Sequence, residues 1–389
     1  MKANRIFKIT IALSMLLITS VVLLNCGGGG GGGGSSSSGG GGGSITANAI
    51  KFTTFSYVDQ QGIGIEAFRM LVPSDWKFQG GITWRFENPG APAVSSFTLS
   101  DPIGKLELQL LPAQSFFSTE DPTVLLYFPV GSKYYGNEVW QYPPLTPLET
   151  LKQIILPRFR GNVSNLKIVD EQSLPEVASL LRAGISSQQT TSIDAGKIRI
   201  EYDQNSTSME EEIYCVVESN TFKTYYPLIT YNNALWMADY LFTFKAEKGN
   251  LDSQYKLFQT MMYSFRLNPQ WFNKYVQLID YLVQQQITII QDWGKLSEYI
   301  SQTSDEISDM VWQSYNNRNA ASDRMAEDFS NYINGTDTYF NPVDQNTVEL
   351  PSGYSDAWVN GLGEYILSDN ANYNPNIGSG QNWQRMEIR

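Results

Sequence analysis

Histidine is absent from the 389 residues, and the two cysteines are Cys26 and Cys215. Carboxylates, hydroxyls, Lys and Arg are therefore the groups left to do chemistry. A Ser-His-Asp triad, a Cys-His pair, an imidazole base and a histidine metal ligand are all excluded. Glycoside hydrolysis needs only two carboxylates. Glu349 and Glu364 sit on neighbouring expected strands, but spacing along the chain does not bring them to one cleft. Ser253-Gln254-Tyr255-Lys256 has the spacing of a lysine-activated serine, without the Lys-Thr-Gly that accompanies one. Glu210-Glu211-Glu212 is the densest acidic run. Consecutive strand residues point to opposite faces, so these oxygens do not converge on a cation, and a solvated turn is expected. Asp369-Asn370-Ala371-Asn372 alternates oxygen-bearing side chains through a loop, which makes Asp369, Asn370 and Asn372 the Ca²⁺ candidates. The Gly and distal Glu of an EF-hand are missing there, and Asx-turn bonding is the alternative. No catalytic residue, no other metal site and no cofactor is expected.

Charge narrows the partners. The chain carries 27 Lys+Arg against 39 Asp+Glu, a net charge of −12. Phosphate-backbone binding needs clustered basic residues, so nucleic acid is excluded as a partner. Aromatic residues make up 13% of the chain, more than a core alone must absorb. Tyr135, Trp140 and Tyr142 fall in a polar, Pro-rich stretch and are the candidates for contact with a protein, peptide or glycan ligand. Their alternative is to fold back onto the body. Cys215 lies in Ile213-Tyr214-Cys215-Val216-Val217 and reads as a buried strand residue, with no imidazole to activate it.

The N-terminus has its own pattern. Lys2, Arg5 and Lys8 precede an apolar run from Ile9 to Leu24, which reads as a signal peptide over residues 1–25. Leu23-Leu24-Asn25-Cys26 resembles the lipobox of bacterial lipoproteins, with Asn25 where that family usually has Gly, Ala or Ser. The resemblance implies cleavage before Cys26, acylation of its thiol and new amine, and a body held outside the cytoplasm on a membrane of the cell envelope. Residues 27–44 are only Gly and Ser, so residues 26–46 read as a lipidated Cys and a disordered tether. Its Gly/Ser run spans roughly 20–25 Å root-mean-square. The mature chain then has 24 basic and 39 acidic residues, and Cys215 as its one free thiol.

The remainder must supply the scaffold. Residues 47–268 are strand-rich. Gly81 to Phe86 alternates its side chains, Ser96 to Leu111 reads as a hairpin, and Lys197 to Tyr202 should pair with Ile213 to Val217 across a turn at Gln204 to Met209. Thr146 and Pro147 open a helix that runs to Leu156, and Leu251 to Tyr263 forms another. Pro73-Ser74-Asp75-Trp76 and Tyr263-Ser264-Phe265 resemble the Pro-x-x-Trp turn and late Ser-Phe pair of PsbP/Mog1-like domains. That resemblance implies an antiparallel sheet flanked by helices, with insertions near 115–145 and 184–195, and action by binding partners. Apolar spacing over residues 269–334 predicts a helical hairpin. Residues 335–389 read as a small β-hairpin module, with the strongest turn signal at Asn360-Gly361, and resemble a module of uncharacterised bacterial secreted proteins. The expected fold class is α+β. The expected function is binding or scaffolding by a membrane-anchored, non-enzymatic envelope lipoprotein. The alternatives are a carboxylate-based envelope hydrolase and a carrier of an apolar ligand.

Overall fold

The computed structural model describes residues 49–85, 91–134, 139–183, 191–285, 293–328 and 336–389. Cys26, its lipobox, the Gly/Ser tether and Tyr135 lie outside these residues. The fold is mixed α+β. Among the described residues no helix is long and apolar enough to cross a membrane.

The chain opens with β1 (Ala49–Val58) and β2 (Glu66–Pro73), an antiparallel pair. The turn Pro73-Ser74-Asp75-Trp76, closed by the Trp76 N–H on the Pro73 carbonyl at 3.0 Å, passes the chain into a second sheet. There β3 (Lys77–Trp84), β4 (Ala93–Ser100), β5 (Glu107–Leu110) and β6 (Gln114–Thr119) follow. Next come a short helix α1 (Pro122–Tyr127) and strand β7 (Val139–Gln141). Helix α2 begins at Pro147, where Thr146 and Glu149 form a reciprocal capping box, and passes through a π turn at Leu151–Ile155 to end at Phe159. Then follow β8 (Ser164–Ser173), α3 (Pro175–Arg182), β9 (Thr191–Gln204), β10 (Thr207–Tyr225), β11 (Thr230–Asp239) and β12 (Phe242–Glu247).

β10 organises the second sheet. Its partner β9 runs along one whole edge, from Thr207↔Gln204 to Asn220↔Thr191. The other edge is shared: β12 pairs with residues 209–213 and β11 with residues 216–225. These two strands are one path broken by a bulge, since Asp239 faces Val216 but Thr243 faces Ile213. Tyr240 sits in the bulge with φ +52°. The next layer breaks at the same level. β5 pairs with β12, β6 pairs with β11, and residues 111–113 separate β5 from β6. The sheet is therefore parted along one line.

Alternation on β10 feeds two cores. Tyr214 and Val216 enter the larger core, while Ile213, Cys215 and Val217 enter a smaller one beneath α2. The turn joining β9 to β10 is only Asn205-Ser206, both at positive φ (49° and 66°), as a two-residue hairpin requires. Glu210-Glu211-Glu212 is consequently inside β10 rather than in a solvated turn, and Glu211 and Glu212 are buried. They point to opposite faces, as strand geometry dictates.

Helix α4 (Tyr255–Ser264) and the short strand β13 (Arg266–Leu267) precede three helices: α5 (Pro269–Gln284), α6 (Trp293–Gln302) and α7 (Asp309–Asp328). Among the described residues, the expected helical hairpin over 269–334 is thus replaced by three helical segments. A non-helical stretch separates α6 from α7. It is pinned by Asn273, whose Nδ2 donates to the carbonyls of Ser304 and Glu306, both at 3.1 Å. α7 packs on α3 and α4 as well as on α5.

The last strands are β14 (Thr336–Asn341), β15 (Asn346–Pro351), β16 (Asp356–Asn360), β17 (Glu364–Ser368), β18 (Trp383–Arg385) and β19 (Glu387–Ile388). The hairpin signalled by Asn360-Gly361 forms between β16 and β17. Residues 335–389 are not a separate module, however. β17 pairs with β1, from Ala49↔Ser368 to Thr53↔Glu364, so both chain ends share the six-stranded sheet β13-β2-β1-β17-β16-β18. The pairing satisfies the β1 edge and buries Phe52 beside Tyr365.

Candidate functional site

Where the second sheet parts, residues of α5 and α7 line a partly open cavity of about 230 Å³. Its walls are mostly apolar: Leu111, Met237, Phe242, Trp271, Phe272 and Val276. The Trp271 indole is fixed from behind. Its Nε1 donates to buried Asp59 at 2.9 Å, and its ring stacks on Tyr275 at 5.2 Å. The Tyr275 hydroxyl reaches the Ala93 carbonyl at 3.5 Å.

One charged cluster lines this space. Glu218 on β10 and Asp239 on β11 share a sheet face, because Glu218 is opposite Met237, two residues from Asp239. Arg318 approaches from α7. Its guanidinium lies 3.6 Å from Glu218, 3.8 Å from Asp239 and 3.2 Å from the Tyr240 hydroxyl, to which it donates. The bulge is what places Tyr240 here. The carboxylate contacts exceed hydrogen-bond length, so most of the guanidinium donor capacity is not spent within the cluster. Burial pushes the Glu218 carboxyl up to about 7, against the opposing pull of Arg318. Tyr240, Glu218 and Asp239 hold the Arg318 pKa above its ordinary value against burial. Asn317, the neighbour of Arg318, lines the same cavity, and its Nδ2 is buried with no hydrogen-bond partner. A mainly apolar chamber whose lining includes a cationic and an amide donor can hold a small ligand by its body and fix one polar group.

None of the site candidates read from sequence lines this cavity, although Leu111 and Phe265, read there as scaffold residues, do. Trp140 is half-buried on the body with the Arg158 guanidinium 4.4 Å and Lys133 Nζ 5.5 Å from its ring centroid. Tyr142 packs against the smaller core, and its carbonyl accepts from Trp236 Nε1 at 2.8 Å. The two fold back onto the protein rather than presenting a platform. Asp369 pairs with Lys256 at 2.6 Å. The Asn370 side-chain oxygen accepts from the Asn372 backbone at 3.0 Å, so this loop uses its oxygens in an Asx turn rather than around Ca²⁺. Among the described residues no group of three or more Cys, Asp or Glu is arranged to hold a metal ion. Glu349 and Glu364 fall in different sheets. Ser253 donates to the Asn250 carbonyl while Lys256 is engaged elsewhere. Cys215 is fully buried, and burial pushes its thiol pKa up, as a structural cysteine requires.

Sequence reasoning missed Glu218, Asp239, Tyr240 and Arg318. One local signal existed: Glu218 extends the buried run from Ile213 to Val217, where a charge is costly without a purpose. No known protein-family model matches this chain, and no curated protein matches it.

Proposed function

We propose that this chain is a lipid-anchored protein of the bacterial envelope that binds a small, mainly apolar molecule in the cavity between its parted sheet and helices α5 and α7. The cavity carries the reading: an apolar-ligand carrier needs a mainly apolar space between sheet and helices, and this one is lined mainly by apolar side chains with Glu218, Asp239, Asn317 and Arg318 among its polar groups. At about 230 Å³ it exceeds the ~150 Å³ that suffices for benzene in an engineered cavity. The signal-like residues 1–25 and Cys26 support the anchor, and the Gly/Ser run supports a tether that leaves the body free to meet its ligand.

A PsbP/Mog1-like ancestry for the body is part of the proposal. In its favour, the Leu71 N–H, just before the Pro73 to Trp76 turn, donates to Ser264 Oγ at 2.8 Å, and Phe265 packs on Phe68 at 5.5 Å. The two short motifs thus support each other in space. Domains of that kind mostly work by binding.

Hydrolysis is the second reading. A carboxyl near neutral beside a second carboxylate is the arrangement of an acid with its partner. Both groups reach the same guanidinium, however, so a substrate would have to displace Arg318 to lie between them. Binding fits this geometry better.

The test is extraction of the protein purified from its own membranes. Wild type should release a small molecule in stoichiometric amount, and Met237→Trp, which fills the cavity, should release none. Equal release from both, or none from wild type, overturns the assignment of the cavity. For the anchor, Cys26→Ser should abolish palmitate labelling and membrane association; retention of both overturns it.

A further inference from the structure

We infer that the cavity selects a small monocarboxylate with an apolar body, its carboxylate seated on Arg318 and Asn317 and its body against Trp271 and Met237. The inference rests on the binding reading above and adds the chemical class of the ligand.

An arginine beside carboxylates normally spends its N–H donors on them at hydrogen-bond distance. Arg318, partly exposed, instead donates to the Tyr240 hydroxyl, while Glu218 and Asp239 stand off at 3.6 and 3.8 Å, which leaves its guanidinium able to take another acceptor. One residue away, Asn317 holds a buried amide with no acceptor. A buried donor without a partner costs free energy, so a ligand bringing an acceptor is favoured there. Asn317 and Arg318 both line the cavity, and an amide donor with a cationic one suits the two oxygens of a carboxylate. The apolar walls then take the rest of the molecule, and the cavity volume limits that remainder to about one ring or a short alkyl chain.

Glu218 sets the condition. The groups acting on it are Arg318 from α7 and Asp239 and Tyr240 from the bulged edge, while Tyr275 from α5 lines the same cavity. In its charged form Glu218 competes with an incoming carboxylate for Arg318. When protonated it adds a donor. Its carboxyl pKa of about 7 puts the exchange near neutrality, so carboxylate binding tightens as pH falls.

The experiment uses the full chain in lipid nanodiscs, with empty nanodiscs as control, and equilibrium dialysis of three size-matched probes: 3-phenylpropanoate, 3-phenylpropanamide and 3-phenylpropylamine. The carboxylate should bind best, and tighter at about pH 6 than at about pH 8. Arg318→Met should weaken it at least about tenfold, as loss of a charge-assisted contact does, with little effect on the amide. Glu218→Gln should bind the carboxylate more tightly than wild type at the higher pH and remove the pH dependence. Should Arg318→Met not fold, as read by circular dichroism, Glu218→Gln still decides. Preference for the amine or the amide overturns the ligand class while leaving the cavity as a binding site. A carboxylate affinity that Glu218→Gln leaves pH-dependent overturns the role given to Glu218. Failure of all three probes, together with an empty extract from the native protein, overturns the binding reading itself.

Discussion

Strand β10 carries three buried glutamates that each meet an arginine, Glu211, Glu212 and Glu218, and the Glu211 and Glu218 pairs are built differently. Glu211 faces the smaller core. Arg160 donates to it through Nε at 2.7 Å and through a second nitrogen, and the Tyr202 hydroxyl adds a bond at 2.9 Å. Arg160 also reaches Gln109 at 3.0 Å, so its donors are spent. Burial works to raise the Glu211 carboxyl, but Arg160 outweighs it and holds the pKa below its ordinary value. Glu218 faces the cavity, stands 3.6 Å from Arg318 and ends up raised to about 7. Side-chain exposure follows the same division: 11% and 0% for Arg160 and Glu211, against 29% and 5% for Arg318 and Glu218. A saturated pair closes a core. An unsaturated pair beside empty space keeps binding capacity in reserve. The difference is not one of residue type but of whether the arginine lies close enough to complete the hydrogen bonds.

The largest effect expected from this contrast is that of Arg160→Met. It leaves Glu211 buried and uncompensated, and should cost about 3–5 kcal/mol in urea unfolding. A loss no greater than that of Arg318→Met would break the comparison. Arg318→Met should cost less, roughly 1–2 kcal/mol, because Glu218 can take a proton and avoid an isolated buried charge.

The pH dependence of stability sharpens the point. Because the folded-state pKa of Glu218 lies above its ordinary carboxyl value, the folded protein holds a proton that the unfolded chain releases. Stability therefore declines as pH rises from about 4.5 to about 7. Asp280 on α5, raised to about 7 by burial, acts in the same direction. Glu211 acts oppositely: its contribution is present above the ordinary carboxyl pKa and lost as pH falls through its lowered value. Glu218→Gln should flatten the decline between about pH 5 and 7, measured by urea midpoints across pH. An unchanged slope would place the titrating proton elsewhere.

Smaller effects follow at the periphery. Trp271→Phe removes the bond to Asp59 and should cost about 1 kcal/mol. It should also weaken ligand binding, which isothermal titration would read. Trp140→Ala should cost less than about 1 kcal/mol, since its ring meets exposed cations, and should leave binding at the cavity unchanged. A binding loss there would restore the loop aromatics as a contact site.

Local physics was legible in the sequence. The capping box at Thr146 and Glu149, the β16–β17 hairpin at Asn360-Gly361 and the buried Cys215 all rest on residues within a few positions of one another. Opposite faces for Glu211 and Glu212 were legible for the same reason, although their place inside a strand was not: it depended on how tightly Asn205 and Ser206 turn the chain. The sequence by itself also determined the lack of imidazole chemistry and the acidic charge. Tertiary structure alone decided that β17 pairs with β1, that the described residues of 269–328 form three helical segments, and that Glu218, Asp239, Tyr240 and Arg318 converge. Those outcomes depend on strand edges and helix faces far apart in the chain finding each other. No periodicity encodes which edge meets which, and the one-residue bulge at Tyr240 is invisible in composition.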